Sequence, residues 1–454
     1  MASKALRAKV AELMPQAKLD LTELVACRSV ADPKVEPAEQ CAKAADWLVN
    51  AFGDVGLEEM TRARTPDGSD CVHGHAPGPT GAPTVLLYSH YDVQPSLGEG
   101  KWHTPVWTLT EGEDGRWYGR GTSDCKGNIV AHLTALRALK AIDGSFPVNI
   151  KVIFEGSEEQ GTGGLDRYVP DNVELLRADT ICMVDTGNSA VGQPTLTTSL
   201  RGMTSIDICL DALDSAMHSG MFGGPTPDPV TGLIQILATL HDTHGNTTID
   251  GLQNTNTWPG ADYPASRFRT DAHILDGVEV VGGGTVADML WARYDVTTLG
   301  IDIPPVVGSA PVIQASARAR VSLRVPPGAR ATVAQDALIE HLRTRAPWNL
   351  RCTIERVASG DPFTGSLSGP GFDALKQGLE ESYGKPLTTE GQGGSIPLCN
   401  VFQETFPDAE IMLYGVEEPA CLIHAPNESV APSEVEHIAL AEALFLRDYA
   451  AGQG

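Results

Sequence analysis

Pro83-Thr-Val-Leu-Leu-Tyr88 runs straight into Ser89-His90-Tyr91-Asp92. The apolar run is short, uncharged and partly β-branched, which predicts a strand buried on both faces rather than a helix. Two further stretches repeat that grammar. Val148-Asn-Ile-Lys-Val-Ile-Phe154 leads into Glu155-Gly-Ser-Glu158-Glu159, and Asp179-Thr-Ile-Cys-Met-Val184 leads into Asp185-Thr-Gly-Asn188. Helical periodicity over about residues 3–27, 37–53 and Lys126–Lys140 alternates with them. A βαβ rhythm of this kind predicts an α/β fold with a largely parallel sheet covered by helices. Its polar strand ends then gather at one carboxyl edge, where such folds place their sites. After a hairpin-like segment around Trp102–Gly119, the glycine-rich Gly119-Arg-Gly-Thr-Ser-Asp124-Cys-Lys-Gly127 turns into the third helix. Asp124 is thereby expected beside the other polar groups at a helix start.

From about Arg201 the pattern changes to strand (Thr204–Asp211), helix (Pro229–Asp242), strand (Ala315–Val325), helix (Ala331–Arg345) and strand (Leu350–Val357). This order resembles a split βαβ, ferredoxin-like α+β module. Gly371–Tyr383, Ile411–Tyr414 and Pro432–Tyr449 then resume helix, strand and helix, so the module is read as an insertion. The expected division is residues 1–199 and 360–454 for the α/β domain and 200–359 for the insertion. Turns and a short helix are expected within Thr243–Leu275.

The 454 residues carry 58 Asp+Glu against 33 Lys+Arg, a formal net charge of −25, which argues against nucleic acid and anionic membranes as partners. With 42% hydrophobic and 20% charged residues the chain is globular. No window reaches the ~20 apolar residues of a membrane span, and the first residues lack a signal-peptide core, so the expected location is cytoplasmic. Nine scattered cysteines with no CxxC pair argue against a disulfide framework or a thiolate metal site.

One histidine and several carboxylates at a single edge, without thiolates, form a donor set for Zn²⁺, Mn²⁺ or Co²⁺. Crowded carboxylates repel one another, and two bound cations would offset that charge. Asp92, two residues beyond His90, is placed to take the other imidazole N–H. Alone, each piece has a plainer reading, because strand-terminal His and Asp more often cap turns. The glycine-rich segment lacks the GxxxxGK[ST] spacing of a phosphate loop. The joint occurrence of the clusters outweighs the separate readings.

SHYDVQP, GRGTSDCKG, EGSEEQGTGG, Asp185 and Ile423-His-Ala-Pro-Asn-Glu428 together resemble the motif set of metallopeptidase family M20, particularly its dipeptidase and carnosinase-like branch. The resemblance spans almost the whole chain and makes the insertion a lid and dimerisation domain. It implies two divalent ions per subunit, zinc before manganese or cobalt. His90 and Asp185 would hold one, Glu159 and His424 the other, and Asp124 would bridge them. Glu158 becomes the general base, an assignment that spacing alone does not make. His218, in Met217-His-Ser-Gly220, becomes an oxyanion stabiliser supplied in trans within a homodimer. Arg324 would bind the substrate carboxylate, with Ser395 and the backbone at Gly394 completing the pocket. Gly391 departs from the pattern, since that branch often carries Arg there. The implied activity is hydrolysis of short peptides with a free C-terminal carboxylate. The alternatives are an N-acyl-amino-acid deacylase or a carboxypeptidase, and, more remotely, a non-catalytic metal-binding relative. The remaining histidines, Trp102, Trp107, Trp117 and Cys125 are read as structural.

Overall fold

The structure, a computed structural model, describes residues 2–452. The chain forms two compact units, one comprising Met1–Thr198, Gly365–Glu390 and Leu398–Gly454, the other Ser199–Thr364 and Gly391–Pro397. No helix among the described residues is long and apolar enough to cross a membrane.

The first unit is built on β1 (Glu58–Arg64), β2 (Asp70–Ala76), β3 (Thr84–His90), β4 (Asn149–Glu155), β5 (Thr180–Val184), β6 (Thr195–Leu200) and β11 (Glu410–Tyr414). Their spatial order is β1-β2-β4-β3-β5-β11-β6. The four central strands are parallel, with His90 opposite Glu155, Tyr88 opposite Met183 and Tyr414 opposite Val184. The margins are antiparallel, so the sheet is mixed. Strand β3 is buried along nearly its whole length, as expected of a strand covered by helices on both faces.

Helices α1 (Ala2–Ala26), α2 (Glu39–Val55), α3 (Lys126–Asp143), α6 (Pro370–Tyr383) and α7 (Pro432–Ala451) cover this sheet. Three of them stop where a left-handed residue is free of Cβ strain: α2 ends at Gly56 (φ 105°), α3 at Gly144 (φ 76°) and α6 at Gly384 (φ 65°). Helices α6 and α7 begin with Pro at the first helical position, where no N–H is needed. Helices α1, α3 and α7 pack on one another around Leu21, Leu136, Leu440 and Phe445, all essentially inaccessible.

The second unit holds β7 (Gly202–Asp211), α4 (Pro229–Ala238), β8 (Asp295–Asp302), β9 (Ser316–Val325), α5 (Ala331–Thr344) and β10 (Arg351–Gly360). Its sheet is antiparallel in the order β8-β9-β7-β10, which with the two helices is the split βαβ arrangement. Asp228 starts α4 by accepting the Val230 N–H at 3.0 Å, ahead of Pro229. Ile206, Ile208, Leu323 and Leu338 form its core. The Gly/Thr/Asn-rich region contains a short helix, Ala265–Asp271. Strand β8 was not visible in the sequence because seven of its eight residues are exposed or half-buried, which leaves no apolar alternation to read.

Candidate metal centre

Parallel pairing of β3, β4, β5 and β11 delivers their following residues to one edge of the first unit. His90 ends β3, Glu158 and Glu159 form a short 3₁₀ turn after β4, Asp185 follows β5, and Glu417 follows β11. Asp124 precedes α3, and the Asp124–Cys125 peptide is cis.

Asp124 lies at the middle of the cluster. Its Oδ1 is 2.9 Å from His90 Nε2, and its Oδ2 is 2.9 Å from His424 Nε2. His90 Nε2 also lies 3.2 Å from Asp185 Oδ1, and His424 Nε2 lies 3.1 Å from Glu159 Oε2. Two imidazole–carboxylate groups therefore share one aspartate, each carboxylate oxygen facing a different ring. His90 is buried, whereas the His424 side chain is 55% exposed, so the cluster opens on the His424 side.

The electrostatics are those of crowded, buried carboxylates facing two imidazoles. Burial opposes the charge on His90, but Asp185, Cys125 and Asp124 outweigh it and hold the ring well above its ordinary value. Hydrogen bonds to Asp124 and Glu159 push His424 up to about 11. Burial and the neighbouring carboxylates raise Glu158, Glu159 and Glu417. Divalent ions held by these groups would balance the same carboxylate charge, and metal binding by imidazole is coupled to loss of its proton. Two further features fit metal ions. The donor atoms of Asp124, Glu159 and His424 lie within 4.8 Å of one another, as do those of Asp124, Asp185 and Glu417. Glu417 Oε1 is buried without a hydrogen-bond partner among the described residues. Cys125 also lies beside His90 and Asp185. Its Sγ donates to Val184 O at 3.2 Å, and burial raises its pKa well above the ordinary thiol value, so it is a thiol rather than a thiolate ligand.

Asp92 does more than the sequence suggested. His90 Nδ1 is nearer the Asp92 backbone carbonyl, at 3.0 Å, than its carboxylate, at 3.4 Å. The carboxylate instead accepts the backbone N–H groups of Glu158 and Glu159, both at 3.1 Å, and so fixes their turn. Gln94 Nε2 holds Glu159 Oε2 at 2.7 Å. Among the described residues no hydrogen bond ties down the Glu158 carboxylate, which lies half-buried beside the cluster.

Behind Asp124 stands a residue the sequence reasoning did not single out. Glu428, fully buried, accepts from Arg120 Nη1 at 2.8 Å, Gly121 N at 3.0 Å, Ser123 N at 3.0 Å and Asp124 N at 3.1 Å. The glycine-rich turn is shaped by this carboxylate. Glu417 was missed too, although the strand-end logic applied to β11 would have found it.

His218, Arg324, Gly394 and Ser395 belong to the second unit. His218 is exposed in a two-residue bridge to Val312–Ile313, its Nδ1 accepting the Gly220 N–H at 3.1 Å. Arg324, near the end of β9, has Nη1 3.5 Å from Ser395 Oγ. No atom outside the adjacent chain approaches within 4 Å of where a Cβ on Gly394 would stand.

Imidazoles and carboxylates grouped around a shared aspartate, beside an unengaged glutamate, define the site of a metal-dependent hydrolase. Residues 86–448 match peptidase family M20/M25/M40, and the chain belongs to that family. It is 42% identical, over 91% of each chain, to a cysteinylglycine-S-conjugate dipeptidase of Corynebacterium striatum. It is 30% identical, over 87% of each chain, to the Cys-Gly metallodipeptidase dug1 of Schizosaccharomyces pombe. Human carnosine dipeptidase 1 shares the fold, with a TM-score of 0.83 at 21% identity over 99% of each chain.

Proposed function

We propose that this protein is a metal-dependent dipeptidase that hydrolyses short peptides with a free C-terminal carboxylate. The observation that carries the reading is Asp124 facing both His90 and His424, with Glu158 unengaged alongside. His90 and Asp185 are assigned to one ion, Glu159 and His424 to a second, and Asp124 to both; zinc is the first choice and manganese or cobalt the alternatives. Bound ions supply Lewis-acid polarisation of the scissile carbonyl and acidify the attacking water.

The chain's own groups do the rest. Glu158 takes the proton of the attacking water and passes it to the leaving amine. Asp92 holds Glu158 at that place through its backbone N–H. His218 is assigned to hydrogen-bond the carbonyl oxygen as negative charge grows there, reaching it from the partner of a homodimer. Arg324, with Ser395 and the Gly394 backbone, is assigned to the substrate carboxylate, for which a planar guanidinium is suited. The second unit then serves as lid and dimer contact, and the cytoplasm is the proposed location.

The names of the relatives put cysteinyl-glycine first in a substrate panel. Chelated enzyme restored with Zn²⁺, Mn²⁺ or Co²⁺ should release free amino acid from dipeptides and much less from their N-acetyl counterparts. Cleavage of the acetylated compounds alone would make the protein a deacylase.

A further inference from the structure

Two arginines of the second unit have too few partners. Arg201 follows β6 and is only 6% exposed. Its guanidinium, with five N–H donors, makes a single hydrogen bond among the described residues, from Nη1 to Met289 O at 3.4 Å. Its Nε is buried with no partner. Arg324 makes, among the described residues, only the 3.5 Å contact with Ser395 Oγ. Among the described residues no carboxylate lies within 4.0 Å of either guanidinium. Both feel Asp295 as an attractive charge, and Arg201 feels Arg324 as a repulsive one. One carboxylate against two guanidiniums leaves positive charge unbalanced in a largely buried place. Burial draws Arg201 down to about 10, which still leaves it cationic at neutral pH. A buried charge left this poorly paired is costly unless a ligand completes it.

The surrounding loop is shaped to these side chains. A Cβ on Gly393 would stand 2.9 Å from Arg201 Nη2, so the missing side chain lets the loop close on the guanidinium. A Cβ on Gly391 would stand 2.7 Å from Trp291 Cβ, which leaves no room for a side chain at that position. Ser395 Oγ donates to Arg201 O at 2.6 Å while facing Arg324 Nη1, tying the Arg201 backbone to the other arginine. A cavity of about 270 Å³ is lined by Arg201, Met289, Arg293 and Asp295.

We propose that Arg201 is a second guanidinium for the anion received by Arg324, so that both arginines grip one substrate carboxylate and Arg201 sets the demand for a free C-terminus. This rests on the dipeptidase reading above. A carboxylate has about four lone-pair sites, enough for two guanidiniums. Arg201, already held by burial, would lose little freedom on binding.

The test compares cysteinyl-glycine with its C-terminal amide, using metal-loaded wild type, Arg201→Met, Arg201→Lys and Arg324→Met. Wild type should prefer the acid. Arg201→Met should raise KM for the acid by about ten- to hundredfold, the worth of a charged hydrogen bond. Its kcat should stay within a few-fold, and the amide should be unaffected. Arg201→Lys, which keeps the charge, should recover part of the loss; if Arg201→Met does not fold, a smaller rise in acid KM for Arg201→Lys with the amide unmoved carries the test. Equal losses on acid and amide, or an undiminished preference for the acid, would overturn the proposal. A wild type indifferent to amidation, with Arg324→Met equally indifferent, would instead remove the reading on which it rests.

Discussion

Glu428 accepts the backbone N–H of Asp124 at 3.1 Å although the two are 304 residues apart in sequence. The same carboxylate holds Gly121, Ser123 and the buried Arg120, so one side chain from the end of the chain sets the turn that aims the shared aspartate. Replacing it by alanine strands the Arg120 cation, which is 1% exposed. Glu428→Ala should lose about 3–5 kcal/mol of stability, the cost of breaking a buried pair from one side. Its metal affinity should fall roughly 10–100-fold through the displaced Asp124. Thermal unfolding and metal titration together check this; unchanged metal affinity would mean that Asp124 is aimed by something else.

Glu158→Gln keeps the shape of the side chain and removes the carboxylate proposed as the base. Rates should drop by about 10²–10⁴, while metal content measured by elemental analysis stays at the wild-type level. Near-full activity would assign the proton transfer to another group.

The trans assignment of His218 has a direct complementation test. His218→Ala and Glu158→Gln should each be inactive alone. Mixed dimers then bring one intact Glu158 and one intact His218 to the same site, so exchange of subunits should restore roughly a quarter of wild-type activity. No recovery after verified exchange would place His218 on its own subunit's site or remove it from the reaction.

Glu155 supplies a pH signature. Burial, with the charge of Asp92 adding to it, raises this carboxyl to about 8, while Tyr88 OH donates to it at 3.0 Å. A folded-state value above the unfolded one means that the folded chain holds the extra proton. Stability is therefore complete below the ordinary carboxylate range and declines as pH rises toward 8. Glu155→Gln should flatten that decline, gaining of the order of 1–3 kcal/mol on wild type near pH ~9 and little near pH ~5. Urea midpoints in the presence of chelator measure it, and parallel pH profiles for the two proteins would show that Glu155 is ionised throughout.

The centre of the molecule was legible because burial on both faces writes itself as apolar runs. Val85–Tyr88, Ile150–Phe154 and Ile181–Val184 read as strands, and parallel pairing then brings the polar residues after them to one edge. The margins were not legible. Strand β1, Glu-Glu-Met-Thr-Arg-Ala-Arg, is mostly exposed, so nothing in its pattern separates it from a loop. Strand β2 breaks its alternation with Gly74, where a Cβ would collide with Met60 Sδ at 2.2 Å. His90, Asp124, Glu159 and His424 stand in separate motifs that the structure brings together. Glu428 and Arg120 form a pair whose partners are 308 residues apart, a relation that no local pattern carries. Asp92 was found but half understood, since its hold on the Glu158 and Glu159 amides depends on a turn that only coordinates reveal.

Strand β11 lies in the sheet between β5 and β6, yet it is made more than two hundred residues after β5. A ribosome adding ~5–20 residues per second leaves that slot vacant for tens of seconds. Through that interval the edge of Thr180–Val184 has no neighbour on one side, and neither Glu417 nor His424 yet exists. Until β11 arrives the central sheet presents an open pairing edge, and Asp124 faces one imidazole rather than two.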